Sequence, residues 1–227
     1  MERKAIDRRS PAMQEGPARW FGVYPAVVED VKDPNSQGRV KVKLPFIPTS
    51  GDPYSAWARV ATLMAGNDRG SFIVPDVDDE VLVSFQGGDV RFPFVVGALW
   101  NGKDAPPQSM DDKNNIRVLK TRSGHKLEFD DTDGKAKITL TTPGGCELIL
   151  DDGSGGKVML QHSSGSSIEF DASGGIKITA NATLTLEAAM VQVNSSMSTF
   201  SGNTQQQTMI ATTVVGSSYT PGAGNLW

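Results

Sequence analysis

Two histidines, one cysteine and a short run of aspartates are the residues here whose types and spacing invite chemistry. His125 and His162 lie too far apart for an HExxH helix or a paired-His ligand set. Cys146, the single cysteine, rules out an intrachain disulfide framework and a cysteine-rich zinc site. Serine, histidine and aspartate are all present, yet no GxSxG stretch offers a nucleophile elbow, so no catalytic residue is assigned. Asp130, Asp131, Thr132, Asp133 and Gly134 look faintly like the start of a calcium loop. They lack the alternating third acidic ligand and the closing Glu, and read as a solvated turn. Arg39, Lys41 and Lys43, with Phe46 and Tyr54 near by, have the makings of an oligonucleotide surface with stacking platforms, or of an ordinary solvent face. Against nucleic acid stands the overall balance: 22 basic and 26 acidic side chains give a net charge of −4, no footprint for gripping a polyanion.

The elements that carry these residues read as all-β. With 24 glycines and 13 prolines among many Val, Thr and Ser, the composition favours short strands and tight turns over helices. Residues 19–102 hold five strand patterns: FGVYPAVVEDVK, RVKVKLPF, WARVATLMA, DEVLVSFQ and RFPFVVGAL. In RVKVKL the apolar Val40, Val42 and Leu44 alternate strictly with Arg39, Lys41 and Lys43, as a half-solvated strand requires. Gly87-Gly88 is a hairpin signal between the last two. Five strands in this length fit a small closed barrel of the OB type, with a small β-sandwich as the alternative. The longest apolar stretches, such as residues 92–100, are far shorter than the roughly 18 to 20 residues of a membrane helix. The N-terminal residues have no apolar signal region, which points to synthesis in the cytoplasm without a signal peptide.

After a linker at 103–117, residues 118–193 repeat themselves. KITL, KVML and KITA begin at Lys137, Lys157 and Lys177, and KLEFD, ELILD and SIEFD fall between them at the same period of about 20 residues, the mark of a solenoid or fibre. Alternation places Leu127, Phe129, Ile138, Leu140, Leu148, Leu150, Val158, Leu160, Ile168, Phe170, Ile176 and Ile178 on one face. A ribbon of such short strands cannot cover its own apolar side, and its hydrogen-bonding edges invite other chains. Three copies intertwined about an axis, with strands pairing between chains, answer both needs; a one-chain parallel β-helix is the alternative. Parity also turns His125, Cys146 and Ser166 inward, so each would form a ring of three. Three His125 imidazoles would hold a metal or anion near the axis, or the residue is core filler.

The two ends differ in character. Residues 1–18 are rich in basic side chains, Arg3, Lys4, Arg8 and Arg9 among them, and form either a disordered arm or one that docks on a partner. After Glu187 no charged residue occurs in the last 40, and residues 194–227 read as an uncharged distal tip ending in Tyr219, Leu226 and Trp227. Spaced Val191, Val193, Met197, Phe200, Met209, Ile210 and Val214 suit a thin continuation of the fibre better than a disordered tail.

The stretches GRVKVKLPF, WARVA, AGNDRGSFIVPDVDDEVLVSF and GGDVRFPFVVGALWNG together resemble the OB-fold of phage baseplate spike proteins of the gpV and VgrG kind, over about 85 residues and in the same order. The resemblance implies a trimeric β-helix behind the barrel and a structural role without catalysis or cofactor, as the needle of a phage tail, tailocin, extracellular injection system or type VI secretion machine. It implies as partners a hub trimer docked by the basic arm, a PAAR-type tip protein seated on the distal residues, an inner tube, effector cargo and a target membrane touched in transit. Release in a phage tail-like particle follows from the same resemblance. Asp78 departs from it, standing where the family usually has Gly before Asp-Glu. Neither a lysozyme-like stretch after the barrel nor a hub-like domain before it is expected, and the tail lacks the His-x-His tip that binds iron in some phage spikes. The competing reading is an OB module that binds oligonucleotides or glycans, displayed on a fibre.

Overall fold

The computed structural model describes residues 19–153 and 155–218. The chain divides into one unit up to Thr179 and a second from Ala180. The first unit opens with β1 (Tyr24–Asp30), β2 (Val40–Leu44), β3 (Tyr54–Val60), a minute hairpin of β4 (Ala65–Gly66) and β5 (Arg69–Gly70), then β6 (Glu80–Phe85) and β7 (Pro93–Ala98). Five of these close into a barrel in the order β1-β2-β3-β7-β6, in which only β3 and β7 pair in parallel. The OB-type barrel expected from the alternation is therefore present, and the sandwich alternative is set aside.

Alternation explains why the barrel closes. Val40, Val42 and Leu44 are fully buried while Lys41 and Lys43 between them are half-exposed. Val28, Val81 and Val83 complete the middle of the core, and Tyr24, Phe46, Phe85 and Trp20 close one end, with the Tyr24 and Phe46 rings stacked 4.8 Å apart. Gly87-Gly88 forms a short 3-10 turn, not the two-residue primed turn that the sequence suggests. Gly88, at φ +77, passes so close to the Trp20 backbone that a Cβ would lie 3.1 Å from it.

Two loops are held by aspartates. Between β1 and β2, Asp33 accepts hydrogen bonds from the backbone N–H groups of Asn35 and Gln37 and from the Arg39 guanidinium, its nearest contact at 2.6 Å. That guanidinium above all keeps the Asp33 carboxyl well below the usual carboxylate range. Before β6, Asp78 lies at φ +74 while its N–H donates to Val28 and the Asp79 carboxylate accepts from the N–H of Asp76. The turn thus keeps a glycine-like backbone although an aspartate occupies it.

The rest of the first unit is a seven-stranded antiparallel sheet in strict sequence order: β8 (Ile116–Lys120), β9 (Lys126–Asp130), β10 (Lys137–Thr141), β11 (Glu147–Asp151), β12 (Lys157–Gln161), β13 (Ser167–Phe170) and β14 (Ile176–Thr179). Each strand pairs with its predecessor in the same chain, so over this stretch the ladder is satisfied internally. Within one chain, the pairing expected between chains is made by consecutive hairpins, because turns of five or six residues bring each strand straight back beside the last. No parallel β-helix coil is present among the described residues. The Arg122 guanidinium, in the first hairpin turn, bridges to Asp76 of the barrel at 2.9 Å. From Ala180 to Ser218 the chain is extended and forms no strand among the described residues.

A left-handed backbone costs a non-glycine residue roughly 1–2 kcal/mol, less for aspartate than for most. Asp78→Gly should accordingly stabilise the barrel by about 1 kcal/mol in denaturant unfolding, with no change in fold by circular dichroism.

Candidate functional site

The feature that asks for a function is the inner face of the β8–β14 sheet. The register aligns two columns along it. Leu119, Leu127, Leu140, Leu148, Leu160, Ile168 and Ile178 form one; Arg117, Phe129, Ile138, Leu150, Val158, Phe170 and Ile176 form the other. The face predicted from alternation is the face observed. Within one chain nothing covers it: from Ile168 at 36% to Ile176 at 64%, eleven of these apolar side chains are exposed. The polar face is the better shielded of the two, since Lys137, Thr139, Thr141, Glu147 and Asp151 are half-buried. Such an inversion of burial against polarity is the signature of a surface made to be covered. Covering it contributes on the order of 1 kcal/mol for each half-exposed side chain.

The opposite face is built for water and for register. Asp130, Lys137, Asp151 and Lys157 stand side by side in a ladder of alternating charge, and Lys157 reaches across to Glu169 at 2.9 Å. Because side chains alternate along a strand, a slip of one residue would turn the leucines outward, and the ladder of opposite charges supports the pairing that keeps them inward.

The histidines and the cysteine lie at one margin of the wall, in the hairpin turns. His125 closes the Thr121–His125 turn and Cys146 the Thr142–Cys146 turn, each through a carbonyl that accepts the N–H of the threonine. His162 opens the next turn, its Nδ1 accepting the N–H of Ser164 at 3.1 Å. No group of three or more His, Cys, Asp or Glu suited to a metal exists among the described residues of the single chain. The opposite margin carries Asp131, Asp152 and the glycine-rich turns. Asp131 bridges to Arg117, and Asp130 accepts from the Thr132 N–H. Hydrogen bonds from Thr132, with Lys137 near by, hold the Asp130 carboxyl below its usual range. The calcium-like run is therefore a turn in which Asp130 and Asp131 are already engaged. Arg3, Lys4, Arg8 and Arg9, and Tyr219, Leu226 and Trp227, lie outside the described residues.

On the barrel, the basic strand face is largely neutralised. Arg39 grips Asp33, and Lys41 pairs with Glu29 at 3.0 Å. Phe46 is turned into the aromatic cluster with Trp20 and Tyr24 instead of standing out as a stacking platform. What the sequence reading missed on this domain is the β4–β5 loop, where Leu63, Met64, Phe72 and Ile73 are exposed beside a cavity of about 930 Å³. The signal was available in those four apolar residues flanking the AGNDRG turn.

A closed OB barrel followed by a one-sided apolar wall defines a class of protein whose second domain is completed by other copies of itself. Comparison with known families gives that class its place. Residues 24–100 match the type VI secretion system and phage-baseplate injector OB domain, and residues 137–199 match the phage baseplate V C-terminal trimerisation domain. The chain belongs to the phage-baseplate and VgrG-like spike family. It is similar to the type VI secretion system spike protein VgrG3 of Vibrio cholerae, at 34% identity over 110 residues, 45% of this chain and 11% of that protein. VgrG2a of Pseudomonas aeruginosa is 29% identical over 119 residues, 49% of this chain and 14% of that one. The actin cross-linking toxin VgrG1 of Vibrio cholerae shares 29% over 113 residues. This chain thus spans about a tenth of the length of these relatives.

A charge in the middle of the wall tests whether it is covered. Leu150→Asp should reduce the assembly to monomers in light scattering while the barrel keeps its strand spectrum; an assembly of unchanged mass would show that the face stays in water.

Proposed function

We propose that three copies of this chain form the central spike of a contractile tail or injection machine, with the barrel toward the particle and the fibre toward the target. The uncovered wall carries this reading, since the domain is complete only when other copies close over it. On the same reading the arm with Arg3, Lys4, Arg8 and Arg9 docks on a hub trimer, and the distal residues, Tyr219, Leu226 and Trp227 included, seat a PAAR-type tip protein. Inner tube and effector cargo follow behind, the assembled particle leaves the cell that made it, and the role is mechanical, not catalytic.

The second unit supports the fibre. Between Ala180 and Ser218 the extended chain bends at Ala189, Ser196, Gly202, Gln207, Thr212 and Ser217, every five to seven residues. Its backbone groups have no ladder of their own, and a thread that turns a corner so regularly suits a three-sided axis on which neighbouring copies lie above and below it. This is where strand pairing between chains belongs. The absence of charge after Glu187 fits passage through hydrocarbon, where a charge costs at least about 2.5 to 3.5 kcal/mol. Neutral side chains such as Gln192 and Asn194, which hydrogen-bond to each other at 3.3 Å, lose less. Among the described residues no helix is long and apolar enough to cross a membrane. The alternative of an oligonucleotide-binding OB module draws no support from the barrel face, whose Arg39 and Lys41 are paired.

Light scattering of the full chain should give three times the 24.2 kDa of one copy, and negative-stain images should show a needle. A 24.2 kDa particle would refute the spike. Gln192→Lys with Asn194→Lys should leave assembly intact and reduce piercing or tip-protein capture severalfold. Unchanged delivery would mean that the tail lacks charge only because a narrow axis has no room for it.

A further inference from the structure

The two margins of the wall are complementary, and that determines how copies meet. A threefold rotation neither flips a sheet nor shifts it along the axis, so the left margin of one copy always abuts the right margin of the next, rung on rung. The apolar columns run along the stacking direction of the strands, and the axis that buries both must run the same way. Each strand then meets its own copies end to end. β9 is flanked by His125 before it and Asp131 after it, β11 by Cys146 and Asp152, and β12 by Gly156 and His162.

At each of these rungs one end supplies what the other lacks. His125 is exposed, and across the corner it would find the Asp131 carboxylate, already bridged by its own Arg117. The His162 ring is held by Ser164, whose N–H donates to Nδ1, so in the neutral ring the proton sits on Nε2. Opposite it stands Gly156, at φ +92 with nothing within 4 Å of where a Cβ would be, space for an imidazole. One rung away, about 4.8 Å along the axis, the exposed Asp152 offers that N–H an acceptor.

We propose that the spike is walled by one sheet per copy and sealed at three corners, where the His125–Cys146–His162 margin of one copy locks against the Asp131–Asp152–Gly156 margin of the next. This deepens the trimeric reading above and rests on it. His125 and Cys146 then belong to the corners, each facing a carboxylate of the neighbouring copy, and do not meet their own copies at the axis.

The native cysteine provides the test. Within one chain Cys146 and residue 152 stand at opposite ends of one strand, about 20 Å apart, whereas a disulfide needs Cα atoms within about 7 Å. Any bond between them must join two chains. In the full-length protein, Asp152→Cys treated with a mild oxidant should run on a non-reducing denaturing gel as a covalent trimer, at least tenfold above wild type. Ala172→Cys, two rungs from Cys146, should stay monomeric on that gel. His125→Cys with Asp131→Cys, in a Cys146→Ser background, should cross-link in the same way and covers the case in which Asp152→Cys fails to fold. A protein that is trimeric by light scattering but forms neither link overturns the corner arrangement and leaves the spike standing. Wild-type dimers joined through Cys146 overturn it too, by placing that ring at the axis. A monomer in light scattering overturns the spike reading and the corners with it.

Discussion

A β-sheet one residue thick has two faces, and in this protein only one is made for water. Everything from Ile116 to Thr179 depends on that asymmetry. The backbone is content within a single chain, since each hairpin completes the ladder of the last, so what the chain lacks is cover for its leucines and isoleucines. Assembly in this stretch is therefore driven by burial of side chains and not by hydrogen bonding of open strands. A sheet whose neighbouring strands all pair within the chain leaves its apolar face as the surface still to be covered.

Beyond Thr179 the chain forms no strand among the described residues up to Ser218, and Leu186, Met190, Met197, Phe200 and Ile210 stand exposed along it, so it too has apolar surface to bury. The β8–β14 strands carry charged residues on one face, and the chain carries none after Glu187.

The barrel plays a different part. Its core is closed by its own valines, Arg39, Lys41 and Arg91 are held by Asp33, Glu29 and Asp89, and it reaches the sheet through the Arg122–Asp76 bridge. Among its exposed apolar residues, Leu63, Met64, Phe72 and Ile73 gather at the β4–β5 loop, where strands of two residues are too short to show alternation and only the composition of the flanks gives a signal.

Much of this was legible in the chain itself. Strict alternation in RVKVKL names the buried Val40, Val42 and Leu44, because side chains on an extended strand point to opposite sides whatever the strand pairs with. The same rule names both inner columns of the wall, and the period of about 20 residues announces a stacked array. The pattern does not say which strand lies beside which. Alternation is identical whether the neighbour is the next hairpin or another chain, and only the turns, closing as they do in space, decide for the same chain between Ile116 and Thr179. Parity likewise places His125, Cys146 and Ser166 on the inner face without saying how far each lies from the middle. Their place at the margin follows from strand length and turn position, which are properties of the folded sheet. At Asp78 the outcome was open for the same reason, since aspartate tolerates a left-handed backbone without requiring one, and its own N–H bond to Val28, with Asp76 and Asp79 bonded to each other around it, selects it. Composition and period thus determine the faces and the repeat, while registry, closure and the distance of a residue from its neighbours are decided only when the chain is folded.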